Sequence, residues 1–93
     1  MSNWFVYLLR CADDTLYCGI TTDVDRRILQ HNAGTGAKYT RPRRPVTLEA
    51  LTEVDTKGDA LRVEILVKKQ PRKRKISYLV CRDWESDLER LKS

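Results

Sequence analysis

Trp4-Phe5-Val6-Tyr7-Leu8-Leu9 is an unbroken run of apolar and aromatic residues. A strand with one face in water alternates apolar and polar side chains, and a strand covered on both faces does not. The run therefore predicts a central strand, and the rest of the chain must cover it twice. Ala12-Asp13-Asp14-Thr15 carries turn chemistry, because Asp side chains satisfy nearby backbone groups. Residues 16–20 then resume strand character, so residues 4–20 read as an antiparallel hairpin. Over residues 46–52, Val46, Leu48 and Ala50 alternate with Thr47, Glu49 and Leu51, which predicts a third strand.

The cover has to come from helices. Thr22 is placed as an N-cap with Asp25 three residues on, a variant capping box, and the helix runs to about Asn32. Gly34 can take the left-handed conformation that ends it. Val24 and Ile28 share one face of this helix, and Arg27 and His31 share another by the same i,i+4 spacing. Residues 33–45, AGTGAKYTRPRRP, contain two glycines and two prolines and no periodicity, so they form a loop. Asp59 reads as the N-cap of a second helix over residues 60–70, which Pro71 stops or redirects. Residues 72–82 make another, with Ile76, Leu79 and Val80 inward, and Trp84, Leu88 and Leu91 describe a last amphipathic segment. The expected fold class is α+β: a small three-stranded, mostly antiparallel sheet flanked by helices in the order ββαβαα, with residues 83–93 as an amphipathic tail on or near a domain of residues 1–82. Packing of the Trp84/Leu88/Leu91 stripe on its own domain implies a monomer; a homodimer through that tail is the alternative.

Ninety-three residues, 41% of them hydrophobic, suit one domain with a modest core. No window approaches the roughly 18 apolar residues of a membrane span, and the N-terminal MSNWFVYLLR reads as mature protein rather than a signal peptide. Cys11, Cys18 and Cys81 lack metal or disulfide spacing, so three reduced thiols in the cytoplasm fit best. Eighteen Lys and Arg against 13 Asp and Glu give a net charge of +5. The excess is concentrated: residues 38–44 hold four cations and residues 68–75 hold six, with no acid in either stretch. Such stretches suit a polyanion, most often nucleic acid, although a solubilising face has the same composition.

Glu64 lies in Leu61-Arg62-Val63-Glu64-Ile65-Leu66-Val67, where a carboxylate is costly unless paired, hydrogen-bonded or metal-bound. The plainer alternative is a surface ion pair with Lys68 at i+4. Tyr7 and Tyr17 sit on neighbouring strands and are each accountable as core, and His31 suits a helix C-terminus. Together the pieces say more. VYLL, YCGIT, DRRILQHN and GAKYTRPRRP, with Tyr7 and Tyr17 ten apart, Arg27 a further ten on and Glu64 in its apolar helix, resemble the GIY-YIG nuclease superfamily, in particular its short stand-alone bacterial branch. Phe5 and Val6 stand where that family's first Gly-Ile would, Cys18 replaces the second Ile, and Ile20 holds a place where other branches carry lysine.

The resemblance implies a Mg²⁺- or Mn²⁺-dependent endonuclease acting on nucleic acid, DNA ahead of RNA, on branched or single strands. It casts Tyr7 as general base, Tyr17 as orienting water or phosphate, Arg27 as the phosphate clamp, His31 as an aid to proton transfer or phosphate binding, and Glu64 as the metal ligand. Gly19 would keep side-chain bulk from the strand where substrate approaches. Lys38, Arg41, Arg43, Arg44, Lys68, Arg72, Lys73 and Lys75 would form a phosphate track, contributing affinity and salt dependence rather than sequence recognition. A nucleic-acid-binding module with little catalysis, or one that needs a partner for targeting, shares this charge pattern.

Overall fold

The computed structural model describes residues 3–93; Met1 and Ser2, which begin both the expected domain and the N-terminal stretch, lie outside the described residues. Three strands, β1 (Trp4–Arg10), β2 (Leu16–Thr21) and β3 (Thr47–Val54), form one sheet in the order β2-β1-β3 with both pairings antiparallel. The apolar run is the middle strand, as its unbroken character requires. Val6, Tyr7, Leu8 and Leu9 are each at most 1% exposed, and each fully buried aliphatic side chain among them contributes about 1.5–3 kcal/mol.

Because successive side chains point to opposite faces, β1 divides the core in two. Val6 and Leu8 face α2 (Lys57–Lys68), α3 (Arg72–Val80) and α4 (Trp84–Lys92), packing with Ala60, Val63, Val67, Leu79, Trp84 and Leu88. Tyr7 and Leu9 face the other way, toward α1 (Val24–Asn32) and the long loop, where Tyr17, Ile28 and Val46 join them. The second face is thin and carries the polar groups.

Several local details depart from the sequence expectations. The N-cap of α1 is Asp23, not Thr22: Asp23 accepts the Arg26 N–H at 3.1 Å, and its own N–H is held by Thr21 Oγ1. Thr56, not Asp59, caps α2, accepting the Asp59 N–H at 3.1 Å. The α1 cap thus lies one residue later than expected and the α2 cap three residues earlier, in each case where a side-chain oxygen reaches the free N–H three residues on. β3 runs to Val54, and its register with β1 slips between Leu8 and Leu9, leaving Glu49 as the extra residue, hydrogen-bonded by Arg10 Nε at 2.8 Å. That bulge breaks the expected alternation and leaves Leu48 39% exposed. On α3 the buried residues are Tyr78 and Leu79, and Val80 points outward. On α4 Trp84 and Leu88 are buried and Leu91 is exposed.

α4 thus completes the helical face of the sheet. Trp84 is 3% exposed and donates its indole N–H to the Leu79 carbonyl at 3.2 Å. Trp84→Ala should cost about 3–5 kcal/mol, a large share of the stability of a domain this size. Urea unfolding followed by circular dichroism would show it as a lowered midpoint with little change in slope; an unchanged midpoint would mean that α4 contributes no core.

Candidate active site

Tyr7 and Gly19 are direct partners across β1 and β2. The tyrosine ring lies over the glycine: a Cβ at Gly19 would fall 2.6 Å from Tyr7 Cζ and closer still to Tyr7 Oη. Gly19 therefore makes room for the Tyr7 phenol, a packing role that the sequence did not show. The buried hydroxyl meets His31 Nε2 at 3.0 Å. His31, in the last turn of α1, has no exposed surface.

The loop after α1 holds the other side of that ring. Gly34, at φ +83°, reverses the chain, with Gly34 N–H donating to His31 O at 3.1 Å and Thr35 N–H to Gln30 O at 3.0 Å. This is the glycine-terminated helix end anticipated from the sequence. Gly36 then packs directly on the imidazole, a Cβ there being 2.5 Å from His31 Nδ1. Buried Thr40 places its Oγ1 2.8 Å from the same Nδ1 and 2.9 Å from the Ala37 carbonyl. A hydroxyl has one proton, and a carbonyl can only accept. Thr40 therefore donates to Ala37 and accepts from Nδ1–H, and in the neutral ring Nε2 must be the acceptor for the Tyr7 hydroxyl. The result is a directed chain from Tyr7 through His31 and Thr40 to a backbone carbonyl.

Charge around this chain centres on Arg27, half-buried one turn before His31, with Nη1 donating to Gln30 Oε1 at 3.0 Å. Burial pushes the Tyr7 phenol up to about 12 while the nearby Arg27 guanidinium opposes the rise. Tyr17 is raised as well, by burial first, with Arg27 again opposing and the Glu64 charge adding to it. His31 moves the other way: burial, and then the Arg27 charge, lower its pKa below the ordinary imidazole value. At neutral pH the ring is uncharged and able to take a proton. Arg27 also lines an open cleft of about 340 Å³ with Trp4, Thr21, Arg26 and Gln30, so a ligand can reach it.

Glu64 approaches from the helical side, past the outer edge of β2. Its side chain is 19% exposed and 3.7 Å from Lys68 Nζ, so the i+4 pair is present but loose. Its charge reaches Tyr17 and also Cys18, whose thiol is pushed up to about 12, chiefly by burial. No group of three metal-ligating side chains occurs among the described residues. A lone, half-open carboxylate with a weakly engaged partner is nonetheless a donor set that suits a hard cation keeping most of its waters.

A profile of the GIY-YIG catalytic domain matches residues 3–77. The chain belongs to the GIY-YIG family. It is 51% identical over 76 residues to a UPF0213 protein of Nitratidesulfovibrio vulgaris, covering 82% of this chain and 69% of that one. A UPF0213 protein of Listeria monocytogenes is 44% identical over 86 residues, covering 92% and 96%. The solution NMR structure of an E. faecalis protein, 39% identical, matches with a TM-score of 0.59 over 84% of this chain and 83% of its own. Its likeness supports the α+β fold with the three-stranded antiparallel sheet.

Within this GIY-YIG domain, the five residues singled out for chemistry split into a core and an outlier. Tyr7, Tyr17, Arg27 and His31 cluster: ring centroids of Tyr7 and Tyr17 lie 6.4 Å apart, and those of Tyr17 and His31 5.4 Å. The Glu64 charge acts on Tyr17 and is not among the influences on Tyr7. The eight cations are less uniform than their sequence suggests. Arg43 lies over the Tyr39 ring at 4.0 Å and donates to Asp13 and to the Tyr39 carbonyl. Arg44 donates to Arg41 and Asn32 carbonyls, Arg72 pairs with Asp14, and Lys75 Nζ donates to the Val67 and Lys68 carbonyls at the end of α2. Lys38, Arg41 and Lys73 are exposed and have no side-chain partner among the described residues. Thr40, Gly36, Gln30 and Tyr39 were not singled out from the sequence; all but Gln30 lie in the GAKYTRPRRP stretch that carried the resemblance, where composition showed only a loop.

Gly19→Ala tests the packing of Tyr7 directly. The added methyl has no free volume, so the variant should lose about 1–3 kcal/mol of stability and displace the phenol from His31. Chemical denaturation together with the ring-proton shifts of Tyr7 and His31 would register both effects, and a variant with wild-type stability and shifts would contradict the geometry.

Proposed function

We propose that this GIY-YIG domain is a metal-dependent endonuclease that hydrolyses phosphodiester bonds of DNA, with branched and single-stranded forms as the preferred substrates. The observation that carries the reading is the Tyr7–His31–Thr40 hydrogen-bond chain lying beside Arg27, a proton path next to a phosphate-binding cation. A pure binding module needs no such path and gains nothing from a carboxylate beside its phosphates. Residues 1–82 form the catalytic unit and residues 83–93 its supporting tail. The protein works as a monomer, consistent with Trp84 and Leu88 being turned into their own core, and in the cytoplasm, consistent with three free thiols.

Arg27 binds the scissile phosphate through its guanidinium fork, which matches phosphate oxygens in geometry. A phenol pushed up to about 12 is not a free phenolate at neutral pH. Tyr7 therefore acts as a base by passing its own proton on. As the attacking water gives a proton to Tyr7 Oη, the Tyr7 proton moves to His31 Nε2, and the imidazolium is held by Nδ1–H on Thr40. The hydroxide forms the new P–O bond, the P–O3′ bond breaks, and the 3′ oxygen takes a proton from solvent. Tyr17 orients the water or phosphate at the mouth of the site. Glu64 would hold a divalent cation, Mg²⁺ or Mn²⁺, which would neutralise the charge that builds on the phosphate and leaving oxygens. Lys38, Arg41 and Lys73, with Lys68, supply the phosphate track; Arg43, Arg44, Arg72 and Lys75 contribute to it through the donors their structural bonds leave free.

Wild type, Glu64→Ala and Arg27→Ala would be incubated with labelled flap, fork, single-stranded and linear duplex DNA, with and without Mg²⁺. Wild type should cleave only with metal, and each variant should be slower by roughly 100-fold or more. Equal products from wild type and Glu64→Ala would sink the assignment. Because His31 must be neutral to accept a proton, its lowered pKa keeps the site active at pH 7, and the rate should fall as pH drops through that value. Thr40→Val should move this acid limb and Thr40→Ser should preserve it.

A further inference from the structure

We propose that the outer edge of β2 carries a binding pocket for a single nucleobase, so that the strand presented for cleavage is unpaired beside the scissile phosphate. This rests on the nuclease reading and narrows its substrate. The pocket, about 280 Å³ with mostly apolar walls, is bounded by Leu16, Tyr17, Cys18, Tyr39, Lys68 and Lys75. Pockets for drug-sized ligands run to roughly 300–1,000 Å³, so this one is on the scale of one planar heterocycle. Tyr17 is a shared wall: it belongs both to the pocket and to the Tyr7–His31–Arg27 cluster, so whatever fills the pocket adjoins the phosphate held at Arg27.

Tyr39 is the second observation. It is 41% exposed, yet it is fixed on several sides. Its ring stacks on Tyr17 with centroids 5.9 Å apart and planes at 23°, and Arg43 lies over it at 4.0 Å while holding its carbonyl. Arg43 is itself tied to Asp13 at 2.9 Å. With Arg43 over the ring and Tyr17 stacked on it only at an offset, what the pocket rim offers a base is the uncovered remainder of an aromatic already held rigid, which is preorganised to extend the stack. The charge also suits a nucleotide: two lysines line the pocket, Lys75 without an acidic partner and Lys68 only loosely paired with Glu64 at 3.7 Å. A base within a duplex has its faces covered by its neighbours and cannot enter such a pocket without leaving the stack. Stacking of this kind is tolerant of sequence.

The test separates the pocket from the nuclease reading by measuring binding in EDTA, where no cleavage occurs. Fluorescence anisotropy would compare wild type, Tyr39→Phe, Tyr39→Leu and Tyr39→Ala on single-stranded DNA, single-stranded RNA and duplex DNA of one sequence. Wild type should favour the single strands, with the DNA and RNA arms showing which sugar is preferred. Tyr39→Phe should match wild type, and both Tyr39→Leu and Tyr39→Ala should lose roughly tenfold on single strands with duplex binding unchanged. Thymidine 5′-monophosphate, but not deoxyribose 5-phosphate, should shift the Leu16 and Cys18 amide resonances of the wild-type protein. Equal losses on single strands and duplex, or a Tyr39→Leu variant that binds as wild type does, would overturn the pocket while leaving metal-dependent cleavage to stand on its Glu64→Ala control. A folded wild-type protein that binds no nucleic acid in EDTA would overturn the pocket, and one that cleaves none of the DNAs with Mg²⁺ present would overturn the nuclease reading.

Discussion

The hydroxyl of Tyr7 is the constraint from which the rest of the site follows. A strand covered on both faces carries a buried phenol, and a buried hydroxyl without a partner costs about 1–3 kcal/mol. The partner is His31, which obliges α1 to end at that point over the sheet. His31 in turn needs a partner for its other nitrogen, which brings Thr40 and the loop back over the helix. Three glycines permit this: Gly19 beneath the phenol, Gly34 at the reversal and Gly36 against the imidazole. Packing and proton path are one arrangement, and every buried side-chain polar atom among the described residues is satisfied within it or elsewhere.

Arg27 gives this neutral chain its electrostatic direction. One guanidinium opposes the rise of both tyrosines and helps keep His31 uncharged. Burial is nevertheless the larger effect at Tyr7, so a standing phenolate is disfavoured and a coupled transfer through His31 is the lower route. The Glu64 charge acts on Tyr17 in the opposite sense, raising it. Tyr17 is thus the tyrosine that feels both the cation and the carboxylate.

The sequence was most legible where local pattern and tertiary demand coincide. The unbroken Trp4–Leu9 run marked the central strand, the i,i+4 spacing put Arg27 and His31 together, and Gly34 marked the helix end. It was least legible where a residue's role is set by a distant partner. Thr40 reads as one more loop hydroxyl until His31 arrives beside it, and Tyr39 reads as a free surface aromatic until Tyr17 and Arg43 fix its position. The basic stretches were only partly legible for a related reason: composition cannot show that Arg44 and Lys75 also donate to carbonyls at the ends of α1 and α2. The Glu49 bulge likewise depends on register with β1, which no pattern within residues 46–52 contains.

The central claim is that His31 is a neutral imidazole protonated on Nδ1, with Nε2 free to accept from Tyr7. Long-range ¹⁵N–¹H correlation spectra of the imidazole, recorded from pH 8 to pH 5, read this directly. Tautomer and charge have distinct nitrogen shifts, and Thr40→Val supplies the internal control. The account predicts a protonated Nδ1 and an unprotonated Nε2 at pH 7, with the ring charging only below the usual imidazole pKa of about 6.5. An Nε2–H tautomer, or an imidazolium already present at pH 7, would contradict it.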